Sequence, residues 1–158
     1  MALAIHSSFA QSGRQSDEVH IIPEPVSVKT ADGHFRLNAA TRILAQNAGI
    51  ANIASMLTGM LNACTGYHLQ TSKGGNETGS NLISLRLNTT PDPALGKEGY
   101  TLSVTLQKVM VTANEPHGIF NAIQTLMQLL PPGNSNTKAA AAQSWTIPCV
   151  QVLDYPRF

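Results

Sequence analysis

The spacing of apolar residues predicts two helices and a series of short strands along this chain of 158 residues. Segments 49–65 and 117–130 place apolar side chains at the i, i+3, i+4 spacing of a helix, and Gly66 and Pro131 follow them as stop signals. Shorter segments rich in strand-forming residues predict strands. These are residues 26–30, 34–37, 41–45, 68–71, 82–87, 100–106 and 109–113, with a final strand after residue 143.

Turn signals indicate how these strands pair. Asp32-Gly33 lies between the first two strands and predicts a hairpin, and Gln107-Lys108 predicts a second hairpin just before the second helix. Strands joined by such short turns pair antiparallel. The alanine-rich segment 136–143 indicates neither a helix nor a strand. The sequence therefore predicts an α+β fold, with a mostly antiparallel sheet and both helices packed on one face.

Neither predicted helix contains a single Asp, Glu, Lys or Arg. A helix face in water normally carries charges, which aid solubility and form i, i+4 pairs. The polar sides of these helices carry small or amide residues instead: Asn52, Ser55, Gly59 and Asn62 in the first, and Asn121, Gln124, Thr125 and Gln128 in the second. Such faces suit packing against a second surface that the chain is too short to supply. The alternative is a compact single domain whose uncharged helix faces have no partner surface.

Composition argues against several classes of protein. Charged residues make up 12% and the formal net charge is +1, without a run of Lys or Arg, so a nucleic-acid partner is not expected. No apolar stretch approaches the roughly 20 residues of a membrane span. The five histidines lack metal-ligand spacing, and neither a phosphate loop after a strand nor a Gly-x-Ser-x-Gly motif occurs. No cofactor or metal site is predicted.

The first 19 residues differ from the rest of the chain. A short apolar run at 2–5 and the small-x-small pattern Ser8-Phe9-Ala10 resemble part of a secretory signal. We interpret residues 1–19 as a signal-peptide remnant and linker, and expect an exported protein, periplasmic or extracellular. The alternative for this segment is a disordered amino terminus.

Three potentially reactive or binding side chains are predicted to be structural. Cys64 and Cys149 lie on a helix and a strand and are read as small buried hydrophobes, with a disulfide between them as the less favoured alternative. Trp145, the sole tryptophan, is expected to pack in the core or at an interface. Stacking on a sugar is its alternative role.

The last residues read as a strand that passes into a turn. Pro156 biases Tyr155 toward an extended conformation. Asp154 and Arg157 place opposite charges on the two sides of that proline, where Arg157 would pair with Asp154 or brace the chain. This pattern is typical of a junction between two parts of a larger protein.

A series of short motifs, taken in order, resembles the non-catalytic amino-terminal domain of glycoside hydrolase family 20, the β-N-acetylhexosaminidases and chitobiases. The motifs are IIPEPV at 21–26, GHF at 33–35, EGYTL at 98–102, VTAN at 111–114, GIF at 118–120, QTL at 124–126, LLP at 129–131, IP at 147–148 and DYPRF at 154–158. The resemblance covers about residues 20–158.

The resemblance implies an accessory domain over residues 20–153, followed at 154–158 by the start of a junction to a catalytic (β/α)8 barrel. The two helices would pack against that barrel, which belongs to the same polypeptide. The parent enzyme would release terminal N-acetylhexosamine from glycans with retention, through the substrate's own acetamido group. In the family, an adjacent Asp-Glu pair of the barrel does this work.

The resemblance places no catalytic and no substrate-binding residue on this chain. Its adjacent acidic pair, Asp17-Glu18, precedes every predicted strand and is read as a chance occurrence. Asp154 and Arg157 are the predicted interdomain residues. Two alternatives remain: a stand-alone carbohydrate-binding module, which would need an exposed aromatic platform, and a chain that itself retains activity.

Overall fold

A computed structural model describes residues 19–132 and 144–157. The elements, in chain order, are β1 (Ser27–Arg36), β2 (Arg42–Ala45), α1 (Ala51–Thr65), β3 (Thr71–Lys73), β4 (Leu82–Leu87), β5 (Tyr100–Val104), β6 (Lys108–Ala113), α2 (Pro116–Gln128) and β7 (Thr146–Asp154). The 3-10 turn Ala48–Ile50 leads into α1. Residues 1–18, which include the pair Asp17-Glu18 and all but the last residue of the predicted signal-peptide remnant and linker, lie outside the described residues, as does the segment 136–143.

The strands form one sheet in the order β1-β7-β5-β6-β4-β2-β3. The predicted α+β class is confirmed, and the sheet is mixed. Neighbours among β1, β7, β5 and β6 run antiparallel, whereas the β6–β4, β4–β2 and β2–β3 pairs run parallel. The β2–β3 pair is parallel because α1 carries the chain from the end of β2 back to start β3 in the same direction.

The hairpin predicted around Asp32-Gly33 is wrong, because residues 27–36 form one strand. Both halves of β1 pair with β7, and the register shifts between Thr30 and His34. Gly33 takes a φ of 95° within this irregularity, a conformation that glycine adopts at little cost. An Asp-Gly pair marks a bulge as well as a hairpin. The second predicted hairpin is confirmed, since β5 and β6 pair antiparallel across a short turn.

Both helices lie on one face of the sheet and share one apolar core with it. Fully buried side chains come from α1 (Ala54, Leu57, Leu61), α2 (Ile119, Ile123, Leu126) and the strands between (Ile83, Leu85, Leu102, Val109, Val111). Each large aliphatic side chain buried here contributes about 1.5–3 kcal/mol. Gly66 ends α1 with a φ of 74°, as its stop signal predicts.

Cys149 and Trp145 are buried as predicted, whereas Cys64, which was also predicted to be buried, is only partly so. Both thiols are free, with Cys149 buried and Cys64 half-buried, and burial raises the pKa of each. Trp145 is 2% exposed and packs in the core, so its indole ring is not available to stack on a sugar.

The opposite face of the sheet is charged and partly covered by residues 74–81. Gln46 Nε2 donates to Gly75 O (3.2 Å) and Arg42 Nη2 donates to Thr78 O (3.2 Å), which holds this loop over the strands. The rest of the face includes Lys29, Arg86 and Lys108, whose strand neighbours point into the core. This is a sheet face suited to water.

The loop between β4 and β5 is organised by the side chain of Asn114. Its Oδ1 accepts from Asn88 Nδ2 and Asp92 N (both 2.8 Å), and its Nδ2 donates to Asp92 O (2.7 Å) and Gly96 O (2.8 Å). One amide thus satisfies four partners and fixes the residues that lead to Glu98.

We expect Asn114→Ala to lower the free energy of unfolding by about 2 kcal/mol, because each hydrogen bond contributes about 1 kcal/mol and part of this loop can rehydrate. Denaturant titration followed by circular dichroism measures the loss. The matched control is Asn52→Ala on the exposed side of α1, which should change the value by less than about 0.5 kcal/mol. Equal effects of the two substitutions would contradict this role of Asn114.

Candidate functional site: an interdomain junction

The end of β7 is tied to the segment that precedes β1. Asp154 Oδ1 accepts from Val26 N at 3.2 Å, and Arg157 Nη2 donates to Glu24 O at 2.7 Å. Arg157 therefore braces the chain through a backbone carbonyl. The incoming residues 23–26 and the outgoing residues 154–157 are held side by side. The assignment of Asp154 and Arg157 to a domain junction stays a prediction.

Helix α2 docks on three consecutive residues, Glu98, Gly99 and Tyr100. Asn121 Nδ2 donates to Glu98 O at 3.0 Å, and the hydroxyl groups of Tyr100 and Thr125 share a hydrogen bond of 2.6 Å. Gly118 packs so closely on Gly99 that a Cβ atom there would lie 2.3 Å from Gly99 O.

Gly99 also contacts the end of β7. A Cβ atom on Gly99 would lie 2.9 Å from Asp154 O and 2.3 Å from Leu95 O. Residues far apart in the sequence thus meet at one side of the molecule, beside the end of β7. They come from the EGYTL, GIF, QTL and DYPRF motifs. Sequence reasoning identified these motifs but not the contacts among them.

A cleft of about 490 Å³ opens at this side of the molecule. Its lining residues are Pro23, Glu24, Glu98, Asn121, Asp154, Tyr155, Pro156 and Arg157. Sequence reasoning missed Glu24, Glu98 and Asn121, because nothing in their local sequence indicates that they lie beside Asp154. The cleft places three carboxylates and one guanidinium where the chain leaves β7.

An exposed, uncharged surface adjoins the cleft. We call it the helix face and define it by the exposed residues of α1 and α2 together with Ile22: Asn52, Ser55, Gly59, Ala63, His117, Phe120, Gln124 and Gln128. Phe120 is 42% exposed and Ile22 is 81% exposed. Gln128 holds Ile22 against α2 through bonds to its N (2.9 Å) and O (3.0 Å). Neither helix is enclosed by the described residues.

Other kinds of site find little support in the described residues. Within 19–132 and 144–157, Phe120 is the one exposed aromatic side chain, since Phe35, Tyr100 and Trp145 are buried and Tyr67 and Tyr155 are half-buried. That part of the chain therefore offers no aromatic platform for a sugar. No three His, Cys, Asp or Glu side chains in it come together as a metal site, and none of its helices could cross a membrane.

Comparison with known proteins identifies the family to which this domain belongs. The model of a domain family described as glycosyl hydrolase family 20, domain 2, matches residues 18–155. The chain therefore belongs to this family of accessory domains, and the resemblance carried by its motifs is confirmed.

Its relatives are longer than this chain. A β-hexosaminidase of Porphyromonas gingivalis is 30% identical over 158 residues, all of this chain and 20% of that protein. A β-N-acetylhexosaminidase of Cellulomonas fimi is 30% identical over 146 residues, which are 89% of this chain and 27% of the relative. The solved N-acetyl-β-hexosaminidase of Streptomyces plicatus aligns with a TM-score of 0.70 and 30% identity, over 87% of this chain and 26% of that one. The chain thus spans a fifth to about a quarter of these proteins.

The buried hydroxyl of Tyr100 predicts a loss of stability at alkaline pH. Burial raises the pKa of Tyr100, the bond to Thr125 lowers it and the charge of Asp154 raises it, with a raised pKa as the result. A raised pKa means that the folded state favours the neutral hydroxyl. Its contribution is therefore complete below the unfolded pKa of about 10 and is lost as the pH rises through the folded value.

We expect the free energy of unfolding to fall above about pH 10 and expect Tyr100→Phe, which cannot ionise, to fall less steeply over the same range. Urea titrations of both proteins from about pH 8 to 11 measure the difference. The pH dependence that remains in the free energy of unfolding of the variant would include ionisation of Cys64 and Cys149, whose pKa values are also raised. Parallel curves for the two proteins would refute the role of Tyr100.

Proposed function

We propose that this domain is part of a longer β-N-acetylhexosaminidase and that a catalytic domain of the same polypeptide packs on its helix face. The observation that carries the proposal is an exposed, charge-free surface directly beside the point where the chain leaves β7. The names and lengths of the relatives support it. The role of the domain is structural: it holds the catalytic domain in place.

Charge distinguishes the helix face from the opposite face of the sheet. Burying a charge without a partner is costly, so a surface with Lys29 and Lys108 is a poor choice for a covered interface. Arg86 on the same face pairs with Glu77 at 3.9 Å. The helix face has no such penalty. If a neighbour covered them fully, Ile22 would contribute about 1.5–3 kcal/mol, and Phe120, of which only 42% is still exposed, would contribute about half of that or less.

The junction residues connect this face to the neighbouring domain. The bonds from Val26 to Asp154 and from Arg157 to Glu24 fix the chain at the cleft, beside Asn121 of α2. A domain that followed Arg157 in the chain would start at the edge of the helix face. The neighbouring domain would then be attached through the chain and through the helix face on the same side of this domain.

The chemistry belongs to the neighbouring domain in this proposal. That domain would release terminal N-acetylhexosamine from glycans, and this chain would supply neither the acid/base nor a cofactor. We further propose that the protein is exported, because its leader resembles part of a secretory signal.

The purified chain should release no p-nitrophenol from p-nitrophenyl N-acetyl-β-glucosaminide above the rate of a buffer blank, because the reaction needs the barrel's acidic pair. Absorbance of the released phenolate measures the rate, and a full-length β-N-acetylhexosaminidase serves as the positive control. Turnover that persists through purification would show that the chain itself is an enzyme.

In the longer polypeptide, Phe120→Glu should weaken docking of the two domains by about 3 kcal/mol, because it places an unpaired charge in the interface. Calorimetry of thermal unfolding should then resolve two transitions, and protease should cleave the junction faster. The control is Lys29→Glu on the opposite face of the sheet, which should leave both measurements unchanged. In the isolated domain, both variants should fold normally, since both sites are exposed. If the two variants behave alike in the longer protein, the helix face is not the interface.

A further inference from the structure

Two glycines leave no side chain between α2, the segment 98–100 and the end of β7. A Cβ atom on Gly118 would lie 2.3 Å from Gly99 O and 2.7 Å from Ala113 Cβ. A Cβ atom on Gly99 would lie 2.9 Å from Asp154 O. Backbone atoms thus contact backbone atoms along the path from α2 to β7, with no flexible side chain to absorb a displacement.

The α2 residues in this contact lie on one stripe of the helix. Gly118, Asn121 and Thr125 follow the i, i+3, i+7 spacing that places residues on the same side. They meet Gly99, Glu98 and Tyr100, respectively. The steric contact at one end of the stripe sets the position of α2, and the two hydrogen bonds along it stabilise the helix in that position.

The path continues from Gly99 to the point where the chain leaves the domain. Gly99 packs on the carbonyl of Asp154, whose carboxylate accepts from Val26 N. Three residues later, Arg157 donates to Glu24 O. A change in the position of α2 would therefore be transmitted to the residues that line the cleft.

We infer that Gly99 and Gly118 are positioning residues that set the location of the helix face relative to the chain at 154–157. The purpose of this fixed location rests on the proposed function. A neighbouring domain attached both through the chain at 154–157 and through the helix face needs these two attachment points at a fixed separation. The coupling itself is a property of this domain alone and can be tested on it.

The test compares Gly118→Ala with two control variants in the purified domain, by NMR of ¹⁵N-labelled protein. A contact of 2.3 Å must open by about 1 Å to reach an ordinary separation, so the added methyl should push α2 away from Gly99. The side-chain amide of Asn121 reports on α2, because it donates to Glu98 O. The backbone amide of Val26 reports on β7, because it donates to Asp154. We expect the resonances of both amides to shift.

The controls separate position from stability. Gly59→Ala adds the same methyl to α1, where nothing lies within 4 Å, and should shift neither probe. Tyr100→Phe removes the hydrogen bond to Thr125 without adding bulk, so it should lower the unfolding midpoint while both probes stay near their wild-type positions. If Gly118→Ala does not fold, the double variant Ala113→Gly/Gly118→Ala removes the 2.7 Å contact and leaves only the contact with Gly99.

Three results would overturn the inference: a folded Gly118→Ala or double variant with both probes unmoved, a shift of Asn121 alone, or equal shifts in Tyr100→Phe. The first means that the methyl is accommodated locally. The second means that α2 moves independently of β7, and the third means that the probes report general loosening. Failure of domain docking itself would instead appear in the Phe120→Glu comparison, which these spectra do not involve.

Discussion

The close backbone contact of Gly118, Gly99 and Asp154 is the constraint that sets how α2, the segment 98–100 and the end of β7 are arranged. It brings the start of α2 against the segment that enters β5 and brings that segment against the end of β7. Only residues without a Cβ atom permit such distances. Because the contact is made by backbone atoms, the positions of Asn121, Tyr100 and Thr125 follow from it, and their hydrogen bonds extend it along the helix.

The sheet order explains which residues meet at the carboxyl end of β7. The last strand lies between β1 and β5, not at the border of the sheet. Its carboxyl end therefore meets both the segment before β1 and the segment before β5, and it has partners in Val26, Glu24 and Gly99. Membership of glycosyl hydrolase family 20, domain 2, fits this arrangement, because the longer relatives contain the domain as one part of their length.

The two faces of the molecule differ in a way that sequence alone already indicated. Helices without charged residues were expected to meet a second surface, and the structure leaves their outer sides exposed with Phe120 and Ile22 among them. Lys29, Arg86 and Lys108 of the sheet lie on the other side, where residues 74–81 cover part of the face. Packing of these sides against a second surface stays a prediction. Their lack of charge could be read from the sequence, because charge along a helix is a local property once the apolar spacing has defined the two sides.

Local sequence patterns were enough to establish the α+β class, both helices, most strands, the buried state of Trp145 and Cys149, and the family, because periodicity, stop signals and ordered motifs are properties of neighbouring residues. It misread Asp32-Gly33 as a hairpin, because the same dipeptide serves a bulge when both flanking segments pair with one partner strand. The parallel half of the sheet and the contacts of Glu24, Glu98, Asn121 and the two glycines were decided only by tertiary structure. Those features depend on which strands become neighbours and on distances between residues that are remote in the chain, and no local pattern encodes either.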